Sequence, residues 1–235
     1  MGAGETTRDT KIIADFFKQH GKALSFKKGR RVPATEMESR MLYLKSGYAV
    51  AYLAAPSIKR AYYTYGPADI IQFGQLTNTT GGSLTYVALT NLVLYSVPSA
   101  LMWRAIDKRP DMAIALMRQV IRYNEFHARR IENLSYRYAS DKLTYRILNL
   151  AERFGTAKDG KIYIRVPVTH RALGMFVNMA RESVSREIEK LVTKGLISYN
   201  RQRIVILEPE KLVKSLHETI RTDWSTILTM VTPKN

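Results

Sequence analysis

The chain contains no cysteine. Disulfide bonds, thiol switches and cysteine-ligated iron–sulfur clusters are therefore excluded together. The sequence also lacks any apolar run close to the ~18 residues that a membrane-spanning helix needs. Its start, MGAGETTRDTK, has no apolar segment of the kind found in signal peptides. We therefore expect a cytoplasmic protein with no membrane partner.

Motifs that support catalysis are missing as well. The sequence has no Walker phosphate loop, no GxGxxG, no GxSxG and no HExxH. Its four histidines are far apart and lack metal-ligand spacing: His20, His127, His170 and His217. No paired carboxylates with acid–base spacing are present. We therefore expect neither an enzyme nor a metal or cofactor site.

Basic residues are in excess. The formal net charge is +17 and 46% of the residues are hydrophobic, which indicates a globular chain suited to a polyanionic partner. The positive excess is present in residues 1–107, 108–137 and 138–235 alike. Charge alone therefore does not locate a binding site, and a uniformly basic surface is the alternative. The 235 residues are enough for two modest domains.

The N-terminal part predicts a helix followed by many short strands. TKIIADFFKQH, residues 10–20, has the spacing of a short amphipathic helix. From Ala23 to Pro98, apolar runs alternate with glycine, proline and asparagine, and Lys28–Gly29 is expected to open a strand. The runs are MLYL, YAVAYLA, RAYYTY, DIIQF, LTYVAL and LVLYSV. This pattern is typical of a small antiparallel barrel or jelly roll.

Two helices are predicted next, a short one over residues 98–109 and a long one over 111–137. Near-heptad spacing on the long helix aligns one stripe of side chains: Ile114, Met117, Ile121, Asn124, Ala128 and Ile131. The stripe either packs on the chain's own strands or forms the seam of a homodimer, which we favour. In a dimer seam, Asn124 would help to fix the register.

Residues 168–197, VTHRALGMFVNMARESVSREIEKLVTKGLI, predict a helix, a tight turn and a second helix. Thr169 is a good N-cap for the first helix, and Asn178 tolerates the left-handed backbone of a turn. The second helix starts near Ala180. Its predicted inner face consists of Val184, Ile188 and Leu191. A further helix over 139–154 and a strand over 161–166 precede this segment.

The opposite face of the second helix carries side chains that contact DNA bases in other proteins: Arg181, Glu182, Ser185 and Arg186. Arginine binds guanine with two hydrogen bonds, and glutamate accepts from the cytosine amino group. An ordinary two-helix corner with a solvated charged face is the alternative. Residues 197–199 and 204–207 predict a hairpin, or wing. Further candidate DNA contacts are Thr169, His170, Ser183 and Arg201.

RESVSREIEKL resembles the recognition helix of the CRP/FNR family of bacterial transcription regulators. That family has a glutamate, three residues and an arginine, matched by Glu182 and Arg186; Ser185 and Arg181 match its variants. ILNLAERFG resembles the first helix of the family's DNA-binding domain, and the resemblance covers residues 23–207.

The resemblance implies an α+β fold: an N-terminal antiparallel β-roll, a long dimerisation helix and a C-terminal winged helix-turn-helix. The corresponding domains are residues 1–110, 111–137 and 138–235. It also implies a homodimer on an inverted repeat of double-stranded DNA, with half-sites such as TGTGA or TTGAT. RNA polymerase is an implied partner, and a hinge is implied at 138–140. Ser185 is expected to contact a thymine or a phosphate.

The effector site departs from the cyclic-nucleotide binders of that family. Their Gly-Glu pair resembles Gly74-Gln75 here, their phosphate-binding arginine falls at Gly82, and their adenine-contacting hydroxyl pair falls at His127-Ala128. We therefore expect no cyclic-nucleotide binding. Candidate residues of an effector pocket are Tyr63, Tyr65, Phe73, Gln75, Tyr86, Tyr123 and His127. These rings could instead be β-barrel core, or line a site for a less polar effector.

The sequence also predicts a C-terminal extension and leaves one alternative function open. Residues 209–229 form a C-terminal helical tail, capped by Trp224, beyond the family's usual end. The alternative to a regulator is a ligand-binding or protein-interaction module whose helix-turn-helix is vestigial.

Overall fold

The computed structural model describes residues 3–54, 59–71, 73, 84–217 and 224–231. The chain forms two compact units, residues 1–128 and residues 129–235. Gln75 and Gly82, the predicted ribose and phosphate positions, lie outside the described residues. The predicted α+β class, with antiparallel strands followed by helices and a helix-turn-helix, is confirmed.

The first unit is a β-roll flanked by helices. Helix α1 spans Ala3–His20, and a short 3-10 turn spans Ala34–Glu36. The strands are β1 Lys22–Phe26, β2 Arg40–Ser46, β3 Ala49–Ala54, β4 Lys59–Tyr65, β5 Ile70–Ile71, β6 Leu84–Ala88 and β7 Leu92–Pro98. They form antiparallel sheets with the orders β1-β7-β2-β5 and β4-β3-β6.

Strand β2 shows why the sequence of this unit looks continuously apolar. Leu42 and Leu44 belong to the core inside the roll, whereas Met41 and Tyr43 belong to a second core shared with α1. Successive side chains of a strand point to opposite faces. Because both faces of β2 are covered, the run MLYL is apolar without alternation.

Two expectations for this unit were wrong. Helix α1 begins at Ala3, well before residue 10. Lys28–Gly29 does not open a strand, because Gly29 has a left-handed backbone with φ of 84° and lies in a turn. Beyond this turn Arg31 pairs with Val87 only as an isolated bridge. Strand β1, which ends before the turn, was not predicted.

Helix α2 spans Ser99–Lys108 and helix α3 spans Pro110–Ser135, close to their predicted ranges. One face of α3 is buried through Met112, Ala115 and Leu116. The predicted seam residues are all exposed: Ile114, Met117, Ile121, Asn124, Ala128 and Ile131. The alternative in which this stripe packs on the chain's own strands is therefore wrong.

The second unit contains the predicted helix-turn-helix and wing. Its elements are α4 Ala139–Phe154, β8 Gly155–Lys158, β9 Lys161–Ile164, α5 His170–Val177, α6 Arg181–Thr193, β10 Ile197–Asn200, β11 Arg203–Ile206, α7 Pro209–Lys214 and α8 Ser225–Val231. The strand order is β10-β11-β9-β8. Strand β8 was not predicted; it follows α4 directly at Gly155.

The C-terminal tail is built into this unit. In the described part of the predicted tail over 209–229 there are two helices, α7 and α8, and the Trp224 carbonyl oxygen accepts from the Leu228 amide at 3.1 Å at the start of α8. Trp224 is only 4% exposed, and its ring meets Tyr145 of α4 edge to face at 5.0 Å. His217 Nδ1 lies 2.7 Å from the Asp141 carboxylate. The large apolar surface of the indole is thereby buried in the second unit.

Candidate nucleic-acid interface

The turn between α5 and α6 is fixed by three residues. The Thr169 hydroxyl accepts a hydrogen bond from the Ala172 amide at 3.0 Å, so the predicted N-cap is confirmed. Asn178 has φ 56° and ψ 48°, the predicted left-handed conformation. Gly174, which the sequence analysis overlooked, lies so close to the turn that a Cβ would stand 2.5 Å from the Met179 carbonyl oxygen. A glycine in the interior of a predicted helix indicates a close approach of backbone, and this feature could have identified Gly174.

Helix α6 buries its predicted inner face, Val184, Ile188 and Leu191. Arg181, Glu182 and Arg186 are exposed. Arg186 Nη2 donates to Ser183 Oγ at 3.4 Å. Because the first turn of a helix has unsatisfied amide groups and a partial positive charge, this end of α6 is suited to a polyanion.

Ser185 and His170 face each other between the two helices. His170 Nδ1 lies 2.7 Å from Ser185 Oγ, and Ser185 Oγ donates to the Arg181 carbonyl oxygen at 3.0 Å. The Tyr199 ring lies 4.5 Å from the imidazole, and its hydroxyl donates to the Val168 carbonyl oxygen at 3.0 Å. Burial, followed by the positive charge of Arg181, lowers the pKa of His170. Both effects favour the neutral form of the imidazole.

The wing is a two-residue hairpin. Arg201 and Gln202 both have left-handed backbones, with φ of 45° and 66°, as a tight turn between right-twisted strands requires. The Gln202 carbonyl oxygen accepts from the Val168 amide at 2.8 Å, which ties the wing to the segment before α5. Arg201 is exposed at the tip.

The predicted effector residues within the described ranges form an aromatic cluster. Tyr63 lies at its centre, 4.6 Å from Tyr65 and 4.5 Å from Tyr123 between ring centroids. The hydroxyls of Tyr65 and Tyr123 are 2.8 Å apart, and Tyr86 lies 5.8 Å from Tyr65.

Two more of the predicted effector residues, His127 and Phe73, lie at the edge of this cluster. His127 packs 4.5 Å from Tyr123, whereas Phe73 is more distant, at 6.4 Å from the same ring. Tyr63, Tyr65 and Tyr86 are at most 4% exposed, as expected for core residues. The arrangement favours the core interpretation, and an effector pocket stays a prediction.

Three phenols of the cluster make stability sensitive to alkali. Burial raises the pKa of Tyr65, Tyr86 and Tyr123 above the ordinary value of 10.0. Above pH 10 the unfolded chain releases these protons and the folded chain retains them, so the free energy of unfolding falls as pH rises. Denaturant titrations below and above pH 10 will show this fall in the free energy of unfolding. The fall will be smaller in the double variant Tyr65→Phe, Tyr123→Phe, which lacks two of the phenols. An equal fall in both proteins contradicts the prediction.

Neither a metal-binding cluster nor a membrane-spanning helix is found within the described ranges. They contain no group of three histidine, cysteine or acidic residues placed to hold a metal ion. No helix in those ranges is long and apolar enough to span a membrane.

The second unit matches a known family. Residues 141–215 match the model of the Crp-like helix-turn-helix domain. The matched residues contain α5, α6 and the wing strands. The resemblance to the CRP/FNR family predicted from RESVSREIEKL is thereby confirmed.

Curated proteins that are similar to this chain are transcription regulators. The global nitrogen regulator of Synechococcus elongatus is 28% identical over 126 residues, which are 54% of this chain and 57% of that protein. The CRP-like cAMP-activated global transcriptional regulator of Mycobacterium tuberculosis is 24% identical over 195 residues, 81% of this chain and 86% of that protein. The chain thus spans just over half the length of the first relative.

Solved structures share the fold of both units. FixK2 from Bradyrhizobium japonicum superimposes with a TM-score of 0.69 at 17% identity, covering 84% of this chain and 98% of that one. A cyclic nucleotide-binding domain containing protein from Listeria monocytogenes gives 0.70 at 12% identity, covering 89% and 100%. At these identities the similarity shows the fold.

Proposed function

We propose that this chain is a sequence-specific transcription regulator of the CRP/FNR type that binds an inverted repeat as a homodimer. The observation that supports this most directly is the exposure of Arg181, Glu182 and Arg186 at the start of α6, within a Crp-like helix-turn-helix domain. In a helix-turn-helix, that end of the second helix enters the major groove. Arg181 and Arg186 then bind guanine, and Glu182 accepts from a cytosine amino group.

The homodimer rests on the exposed stripe of α3. Ile114, Met117 and Ile121 are 43%, 56% and 47% exposed. A contiguous apolar stripe on a long helix, with Asn124 in the same row, suits a two-fold seam in which each copy covers the other. Two-fold symmetry then places the half-sites about one helical turn apart, about 34 Å. RNA polymerase is the further partner we propose for such a regulator.

Selection from random duplex DNA with the full chain tests the proposed function. We expect an inverted repeat with G·C pairs in each half-site. Unselective binding, or no binding, contradicts it.

A protein-interaction module with a vestigial helix-turn-helix is the competing function. The exposed Arg181 and Arg186 of α6 favour the regulator, because arginine at this end of the helix can contact bases. The cap at Thr169 and the turn at Asn178 stabilise the fold in either case. A gel shift separates the two: specific retardation supports the regulator, and its absence supports the module.

Cyclic AMP and cyclic GMP are expected not to bind at micromolar concentration. Position 82 is glycine, which offers the cyclic phosphate no cation, and an anion buried without one keeps its desolvation cost. His127, at the position of a nucleobase-contacting hydroxyl, is packed 4.8 Å from Tyr62 and 4.5 Å from Tyr123. Isothermal titration calorimetry of the full chain with each nucleotide is the measurement. Micromolar binding contradicts the prediction; its absence favours an uncharged or aromatic effector, or none.

A further inference from the structure

The Ser185 hydroxyl has two hydrogen-bond partners inside the protein, which limits what it can offer to DNA. Its oxygen lies 3.0 Å from the Arg181 carbonyl oxygen and 2.7 Å from His170 Nδ1. A carbonyl oxygen can only accept, so the single hydroxyl proton points to Arg181. The imidazole must then be the donor in the second bond, with its proton on Nδ1.

The surroundings of the imidazole support this tautomer. His170 Nε2 is buried and has no hydrogen-bond partner among the described residues. A proton on Nε2 would leave a buried donor orphaned, and orphaned donors are rarer in proteins than unsatisfied acceptors. The lowered pKa of His170 also keeps the second proton off the ring near neutral pH.

The ring itself is held in place. Tyr199 of β10 packs on one side of His170 at 4.5 Å, with 37° between the ring planes. The Tyr199 hydroxyl is fixed by its bond to the Val168 carbonyl oxygen at 3.0 Å. His170 is thus braced by the wing strand while it holds a residue of α6. Turning the ring away would cost both contacts.

We propose that His170 fixes the Ser185 hydroxyl as a hydrogen-bond acceptor, so that Ser185 selects the strand position at which adenine or cytosine presents an exocyclic amino group. This rests on the proposed function. With its proton committed to Arg181 and one lone pair to His170, Ser185 has one lone pair left. In the major groove the donors are adenine N6 and cytosine N4, whereas thymine O4, guanine O6 and phosphate oxygens accept. The thymine or phosphate contact expected from the sequence is therefore replaced. His170 is a positioning residue.

Base analogues test the assignment directly. Selection with the full chain and with Ser185→Ala identifies the position whose preference depends on the hydroxyl, and we expect adenine or cytosine there. In the selected duplex, the base is then replaced by purine or 2-pyrimidinone, which lack the amino group. We expect a loss of about threefold to tenfold in affinity for the unmodified chain, the size of one neutral hydrogen bond. Ser185→Ala should show no loss.

A second variant tests the part played by the histidine. His170→Phe keeps a ring against Tyr199 and removes the Nδ1 donor, so the hydroxyl regains rotational freedom. We expect this variant to accept thymine or guanine at the same position with reduced discrimination, and thermal unfolding will verify that it folds. Three results would overturn the inference. His170→Phe could discriminate between bases as the unmodified chain does, the Ser185-dependent position could prefer thymine or guanine, or the base analogues could weaken binding of Ser185→Ala as much as binding of the unmodified chain. In each of these three cases the unmodified chain still selects an inverted repeat. If the proposed function is wrong, no inverted repeat is selected, and the inference fails together with it.

Discussion

Ile121→Glu is expected to convert the protein to a monomer and to abolish specific DNA binding. Ile121 is 47% exposed in the middle of the α3 stripe, between Met117 and Asn124. In a two-fold seam the introduced carboxylate would meet its symmetry mate, and burying two like charges without partners is strongly unfavourable. A monomer presents one recognition helix and contacts only one half-site. Sedimentation and a gel shift on the selected repeat are the measurements.

Two controls make the result interpretable. Because Ile121 is exposed in the single chain, the variant should retain the thermal stability of its β-roll core. Ile121→Leu preserves the apolar surface and should remain dimeric. An intact dimer in Ile121→Glu would show that the association uses another surface.

Arg186→Ala should weaken binding to the selected site by about 1–3 kcal/mol and relax the preference at one base pair. Arg186 is exposed on α6. The hydrogen bond described for its guanidinium is the long one to Ser183 Oγ, at 3.4 Å. The two parallel N–H donors of the guanidinium can therefore bind guanine. Competition binding against a library with each base pair varied gives both numbers.

Lys194→Ala is the matched control. It removes the same charge from the other end of α6, where Lys194 is the exposed C-cap. It should leave the base preference unchanged, because phosphate contacts carry no direct sequence information. If Arg186→Ala and Lys194→Ala show the same base preference as the unmodified chain, Arg186 does not contact a base.

Local rules were sufficient for much of the DNA-binding unit. Thr169 as a cap, Asn178 in a left-handed turn and the buried Val184 of α6 follow from residue type and 3.6-residue spacing. The wing hairpin also follows from its flanking apolar runs, whereas its turn is shorter than predicted, because Asn200 and Arg203 pair and leave only Arg201 and Gln202 between the strands. Rules that concern only neighbours in sequence can be applied to a single sequence. The pattern of the recognition helix additionally indicated the resemblance to the CRP/FNR family.

Interactions between distant residues were decided by the tertiary structure. No spacing rule predicts that His170 bonds Ser185 fifteen positions away, or that Trp224 packs on Tyr145. The heptad pattern of α3 predicts the stripe, but whether the chain's own strands cover the stripe depends on which face of α3 packs on the roll. The structure leaves the six stripe residues exposed while it buries Ala115 and Leu116. The aromatic residues were likewise predictable as a set, while their mutual packing was not. Periodicity and caps are properties of a segment, which the sequence by itself determines; the partner of each face is set by how segments pack, which only the folded chain decides.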